Sequence, residues 1–224
     1  MWSVIGDLLP AAVAVALSPI PIVAVVVVLG TPRARTNGPL FALGWVAGLA
    51  GVSAAIVVLA GGAGDPDSGT STAVDAVKLA AGALFWVMAA KQWRSRPAPG
   101  EEPELPAWMA TLDSAPPRRM LVLGLALSAA NPKNLALTVV AAGTIAQADL
   151  GAADTAAAVA AFVVIGSLTV VGSVLFSLLA GDRAAQTLGS VREVMTRHNA
   201  VIMMVILLVL GAKLVGDGIA GLAG

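Results

Sequence analysis

The chain has 224 residues, 58% of them hydrophobic and 12% charged, with a mean hydropathy of +0.90. No ordinary soluble domain is that apolar, so the composition excludes one and leaves an integral membrane protein. Lys and Arg number 13, as do Asp and Glu, so net charge identifies no partner and nucleic acid is not expected; zero cysteines exclude disulfides, thiol relays and thiolate metal sites.

Apolar runs long enough to span a bilayer recur about six times, at roughly 4–30, 38–62, 72–93, 120–146, 153–180 and 199–222. The expected fold is all-α, with six transmembrane helices in one unit covering residues 1–224. No Lys or Arg precedes the first run, so it lacks the basic start of a cleaved signal peptide and reads as the first span.

That first span carries Ala16-Leu17-Ser18-Pro19-Ile20-Pro21 near or past its middle. Pro19 and Pro21 have no N–H, so the carbonyls of Val15 and Leu17 lose their helical donors. Ser18 and Ile20, each before a proline, are pushed out of helical geometry. The span is expected to break here. In the second span, Gly38 precedes Gly44 and Gly48, which are four residues apart on one face with Gly51 close by. Small residues let membrane helices approach closely, so this face reads as packing or gating rather than cargo contact. The third span has Asp75 and Lys78 on one face near its outer end and finishes on the interface anchor Lys91-Gln92-Trp93-Arg94.

The segment from about 95 to 117 is the only substantial loop. Its prolines, Pro97, Pro99, Pro103, Pro106, Pro116 and Pro117, make it extended and turn-rich. Within it, Leu105 to Asp113 is expected to form a short amphipathic helix at the membrane surface, with Trp108 at the interface, either gating or resting on the bilayer.

The fourth span contains Ser128-Ala129-Ala130-Asn131-Pro132-Lys133-Asn134. Pro132 deprives the Ser128 carbonyl of its donor, and Asn131 is pushed out of the α region. Lys133 lies about twelve residues into the span, or ~18 Å into a hydrocarbon core ~30 Å thick. A Lys at that depth costs about 2.5–3.5 kcal/mol on insertion scales. Irregular polar backbone there is tolerated only under protein cover or along a wet cavity. The bland alternative is a kinked helix whose Lys snorkels. Two breakers, two amides and a charge together point instead to a sheltered, hydrated site formed by Ser18, Pro19, Pro21, Ser128, Asn131, Pro132, Lys133 and Asn134. The fifth span offers Gly166, Ser167, Thr169, Gly172, Ser173 and Ser177 as a second packing face, and the sixth has Lys213 and Asp217 at i, i+4. The lone histidine, His198, starts the sixth span.

Taken as three spans plus three, the halves are about 1–95 and 118–224. An odd number of spans per half inverts one half relative to the other. Broken helices at matching places in inverted halves point to a transporter's central site. The 31–37, 94–119 and 181–198 loops hold Arg33, Arg35, Arg94, Arg96, Arg118, Arg119, Arg183, Arg192 and Arg197. The 63–71 and 147–152 loops hold Asp65, Asp67 and Asp149 and no base. The positive-inside rule then places both termini outside a plasma (inner) membrane.

These residues resemble a known family. Leu17-Ser18-Pro19-Ile20-Pro21-Ile22, Gly30-Thr31-Pro32-Arg33-Ala34-Arg35, Asn37-Gly38-Pro39 with Gly44-Trp45-Val46-Ala47-Gly48, Leu105-Pro106-Ala107-Trp108-Met109 with Leu112-Asp113, and Ala130-Asn131-Pro132-Lys133-Asn134-Leu135 are similar to the peptidoglycolipid-addressing (GAP) or sulfolipid-addressing (Sap-type) membrane proteins. That family is grouped with the six-span exporters of the lysine exporter (LysE) superfamily. The resemblance covers nearly the whole chain. It implies export of envelope lipids such as glycolipids across an actinobacterial inner membrane, without fixing the cargo.

The expected function is thus a secondary transporter of an envelope lipid, with Lys133 attracting an anionic group. Its expected partners are a lipid or amphiphilic substrate, the surrounding membrane lipids, and a homo-oligomer or lipid-export machinery. A small-solute exporter is the alternative within transport; a non-transporting scaffold is the alternative outside it. No Gly-rich Lys-Ser/Thr nucleotide loop occurs, so energy comes from a gradient or a partner. An intramembrane enzyme needs a Ser–His pair or clustered acids at depth, and a metal carrier needs ligands there; neither is expected, nor is any cofactor.

Overall fold

The computed structural model describes residues 1–61, 70–96, 107–112 and 115–223. The helices are α1 (Trp2–Ala16), α2 (Pro19–Leu29), α3 (Ala34–Gly61), α4 (Thr70–Arg94), α5 (Pro117–Ala129), α6 (Pro132–Gln147), α7 (Ala152–Ala180), α8 (Asp182–Arg197) and α9 (Asn199–Ala223). Among the described residues there is no strand. The helices α3, α7 and α9 are each long and apolar enough to cross a membrane alone. Each of the pairs α1–α2 and α5–α6 passes as one broken span, bent by 51° and 61° respectively. The chain is a multi-pass membrane protein. Its exposed surface fits that solvent: Leu43, Val58, Leu59, Val164, Leu168, Leu179 and Val209 all point outward.

Both breaks fall at the expected prolines. Pro10, by contrast, stays inside α1. At the first break Pro19 and Pro21 remove two helical donors within a turn, and Ser18 ahead of them adopts φ −75°, ψ 108°. At the second break Asn131 adopts φ −70°, ψ 119°, and its side chain accepts a hydrogen bond from the Lys133 N–H as the cap of α6.

Glycines set the closest helix contacts. A Cβ on Gly44 would overlap the Leu121 carbonyl, one on Gly48 the Ser128 Oγ, and one on Gly124 the Phe41 carbonyl, so α3 and α5 meet backbone to backbone. Gly38 sits against Leu29 and Val174. The expected face is narrower than the sequence suggests, because Gly51 and Gly172 have open space beside them, while Gly166 packs on Val15 and Leu49. The helices α4 and α9 form a second tight pair through Gly82 and Gly211, and Trp86 Nε1 donates to the Leu208 carbonyl at 3.3 Å. This pair lies along itself for most of its length and touches the other helices sparsely.

Two loops differ from expectation. The 181–198 stretch is the helix α8, with Ala184 and Leu188 buried and Arg183, Arg192 and Arg197 exposed, packed on α2. The surface helix expected from Leu105 to Asp113 is a 3₁₀ turn, Ala107–Thr111. Met109 and Leu112 are buried in the protein core, with half-buried Trp108 against it. This turn's apolar side is covered by protein rather than by lipid. Leu105, Pro106 and Asp113, most of the loop's prolines, and Asp65 and Asp67 lie outside the described residues.

Candidate functional site

The two breaks meet. The chain turns out of α1 at Leu17, and the Ser18 N–H bonds the Val15 carbonyl at 3.2 Å, one residue short of the helical pattern. This leaves the Ala14 carbonyl without its usual donor. Lys133, in the first turn of α6, supplies one: its Nζ donates to the Ala14 carbonyl at 2.7 Å and to Ser18 Oγ at 2.6 Å. The neighbouring Ala16 carbonyl, whose usual donor Ile20 already lies in the first turn of α2, accepts from Thr169 Oγ1 of α7. Buried backbone acceptors must be paired, and the break is accounted for by side chains from two other helices.

Asn134 completes the cluster. Its Nδ2 donates to the Leu127 carbonyl at 3.1 Å, across the second break, and its Oδ1 lies 2.9 Å from Ser18 Oγ. The Ser18 hydroxyl has one proton and three acceptors in reach, the Val15 carbonyl at 2.7 Å, Asn134 Oδ1 at 2.9 Å and the Ala14 carbonyl at 3.5 Å. The Thr138 hydroxyl, one turn on, caps the Asn134 carbonyl at 2.8 Å. Ser18, Lys133 and Asn134 are 2%, 1% and 0% exposed. Lys133 therefore neither snorkels nor faces lipid, but it also does not stand in an open wet pocket. Its ammonium is closed over by protein oxygens.

Of the residues expected at the site, the structure brings together Ser18, Lys133 and Asn134. Pro19 and Pro21 are buried and shape the first break; Asn131 caps α6 and Pro132 opens it with its ring exposed. Ser128 is turned elsewhere: its Oγ donates to the Leu125 carbonyl at 3.0 Å and packs against Gly48 of α3. The groups that sequence reasoning missed are the carbonyls of Ala14 and Ala16 and the hydroxyls of Thr138 and Thr169. Carbonyls carry no signal of their own. Val15 and Leu17, the carbonyls expected to be freed, have no helical donor from Pro19 and Pro21; Val15 accepts from the Ser18 N–H and Oγ instead, and this tightened last turn frees Ala14 as well.

A cavity of about 270 Å³ opens above the cluster, between the α1–α6 face and the α4–α9 pair. Asp7, Lys78, Lys213 and Asp217 line it, together with Thr144 and apolar side chains. The two lysines are held within their own helices, Lys78 to Asp75 at 2.8 Å and Lys213 to Asp217 at 2.6 Å. Among the described residues no group of His, Cys, Asp and Glu could hold a metal ion.

The model of the family described as Sap, sulfolipid-1-addressing protein, aligns with residues 8–220. No curated protein and no solved structure matches.

Proposed function

The chain belongs to the Sap, sulfolipid-1-addressing protein family, and from that premise we propose that it exports an envelope glycolipid or related lipid across the inner membrane. In this reading α4 is a sixth span, the two halves are inverted three-helix repeats, and both termini lie outside. The family's name ties it to one sulfolipid; for this chain the proposal extends to lipid cargo in general. Kinship with the lysine exporter superfamily belongs to the same proposal.

The observation that carries it is the contact of Lys133 with Ala14 and Ser18, which joins the broken span of one half to that of the other. A buried ammonium held by a carbonyl and a hydroxyl retains its attraction for an anionic group. The N-terminus of α6 beside it adds the positive end of a helix dipole. A sulfate, phosphate or carboxylate arriving here displaces two protein oxygens, while Ser18 keeps its hydroxyl proton on Asn134 or Val15. Half-helices meeting at mid-depth are the arrangement that transporters use for such exchange.

The test is Lys133→Ala, with membrane abundance and surface lipid measured together. An exporter loses lipid at the surface while the protein remains in the membrane. A scaffold keeps surface lipid unchanged, and that result overturns the reading.

A further inference from the structure

The α4–α9 pair faces α1 and α6 across the cleft, and the charges in it are unevenly matched. Lys78, Lys213 and Asp217 stand on the α4–α9 side, and Asp7 of α1 stands opposite. Lys78 is paired with Asp75 at 2.8 Å and Lys213 with Asp217 at 2.6 Å, so both lysines are answered within their own body. Asp7 is left over. Among the described residues it has no ion-pair partner, and only the cleft separates it from two ammonium groups.

The two lysines are not equally held. The Asp75 side chain is 8% exposed and lies against Gly218 and Gly221 of α9, where an added Cβ would overlap it. Drawing Lys78 away would strand a buried carboxylate. Lys213 and Asp217 are 40% and 45% exposed, an i, i+4 pair whose attraction is nearly offset by water and side-chain entropy. An ammonium has three donors, so Lys213 takes a second carboxylate without releasing the first. The start of α1 is suited to deliver one. Gly6 has open space beside it, and Pro10, which lines the cleft, gives the Gly6 carbonyl no N–H. Asp7 lies between them, on turns that bend more easily than the rest of the helix.

We propose that Asp7 and Lys213 form a latch, an ion pair that joins α1 to the α4–α9 pair and closes the cleft at this end. Lys78 stays with Asp75. On closing, Leu210 and Leu214 of α9 shed water against Leu137 and Ala141 of α6, which adds apolar burial to the charge pair. The cleft lies above the Lys133 cluster, so the latch governs approach to that cluster from this side.

The cysteine-free chain makes the test direct. Thr144→Cys places one thiol in the cleft of the full-length protein, held in nanodiscs of phosphatidylglycerol and phosphatidylethanolamine. Its rate of modification by the uncharged methyl methanethiosulfonate reports how often the cleft stands open. Asp7→Asn and Lys213→Gln are each expected to speed labelling about two- to fivefold, the effect of losing one part-exposed pair. Combined, they are expected to do no more than either alone. Asp217→Asn, which leaves Lys213 wholly to Asp7, is expected to slow labelling, and Asp7→Lys with Lys213→Asp to restore the parent rate. A local field on the thiol acts differently: the thiolate is the reactive form, so removing an acid speeds labelling and removing a base slows it. Opposite effects of Asp7→Asn and Lys213→Gln, effects that multiply in the double variant, or rates unchanged in both overturn the latch. The assay involves no export, so that result leaves the exporter reading standing, and unchanged surface lipid in Lys133→Ala leaves the latch standing.

Discussion

Lys133 is met by a carbonyl and a hydroxyl, with no carboxylate among its bonded partners. Each partner therefore matters more than it would in an ion pair. Ser18→Ala removes one acceptor from the ammonium and the donor that faces Asn134. We expect a loss of about 1–3 kcal/mol in stability, the usual penalty for stranding a buried polar group. Thermal unfolding in detergent measures it. In a double-mutant cycle with Lys133→Met the two changes are expected to couple by about 0.5–3 kcal/mol, because they share a contact; strictly additive effects would show that the bond contributes nothing. Thr169→Val keeps the side-chain shape and strands the Ala16 carbonyl. Here the expected loss is about 0.6–1.7 kcal/mol, the range measured for hydrogen bonds between membrane helices.

Helices α3 and α5 touch through Gly44, Gly48 and Gly124, where an added Cβ meets backbone or a buried hydroxyl. Gly44→Val and Gly124→Val are expected to abolish the folded protein, read as lost membrane abundance. Gly51→Ala, with open space around it, is expected to be neutral or stabilising by about 0.4–1 kcal/mol through a stiffer unfolded chain. The contrast shows what sequence reaches at this level. Pro19, Pro21 and Pro132 were readable because a missing N–H acts locally, whatever surrounds it. The burial of Lys133 within the protein was readable because a charge inside an apolar run has few places to go. Which glycine of a row touches a neighbour depends on where that neighbour lies, so Gly51 and Gly172 were grouped wrongly and Gly82, Gly124 and Gly211 passed unremarked. The helix α8 did leave a signal: Ala184, Leu188, Val191 and Met195 repeat at helical spacing beneath its arginines. The arginine count of a supposed loop obscured it. The partners of Lys133 left none, since every residue has a carbonyl.

At the scale of the molecule, the α4–α9 pair stands beside the remaining helices with the cleft between them. If cargo passes there, tying the two bodies together stops it. Ala11→Cys with Leu214→Cys, bridged by a bifunctional thiol reagent, is expected to halt lipid export reversibly, while each single variant exports normally. Orientation is checked in the same cysteine-free chain. On intact cells an impermeant maleimide is expected to label Gly216→Cys near the end of α9, and Ser190→Cys on α8 only after lysis. The grip of Lys133 on partners 119 and 115 residues earlier also bears on how the protein is made. A ribosome delivers the first half to the bilayer seconds before the second, at ~5–20 residues per second. When α6 emerges from the insertion channel, the oxygens that shelter its ammonium are already waiting. Expressed alone, residues 115–224 lack that shelter and are expected to be degraded; co-expression with residues 1–96 should rescue them, and Ser18→Ala in the rescuing half should weaken the rescue.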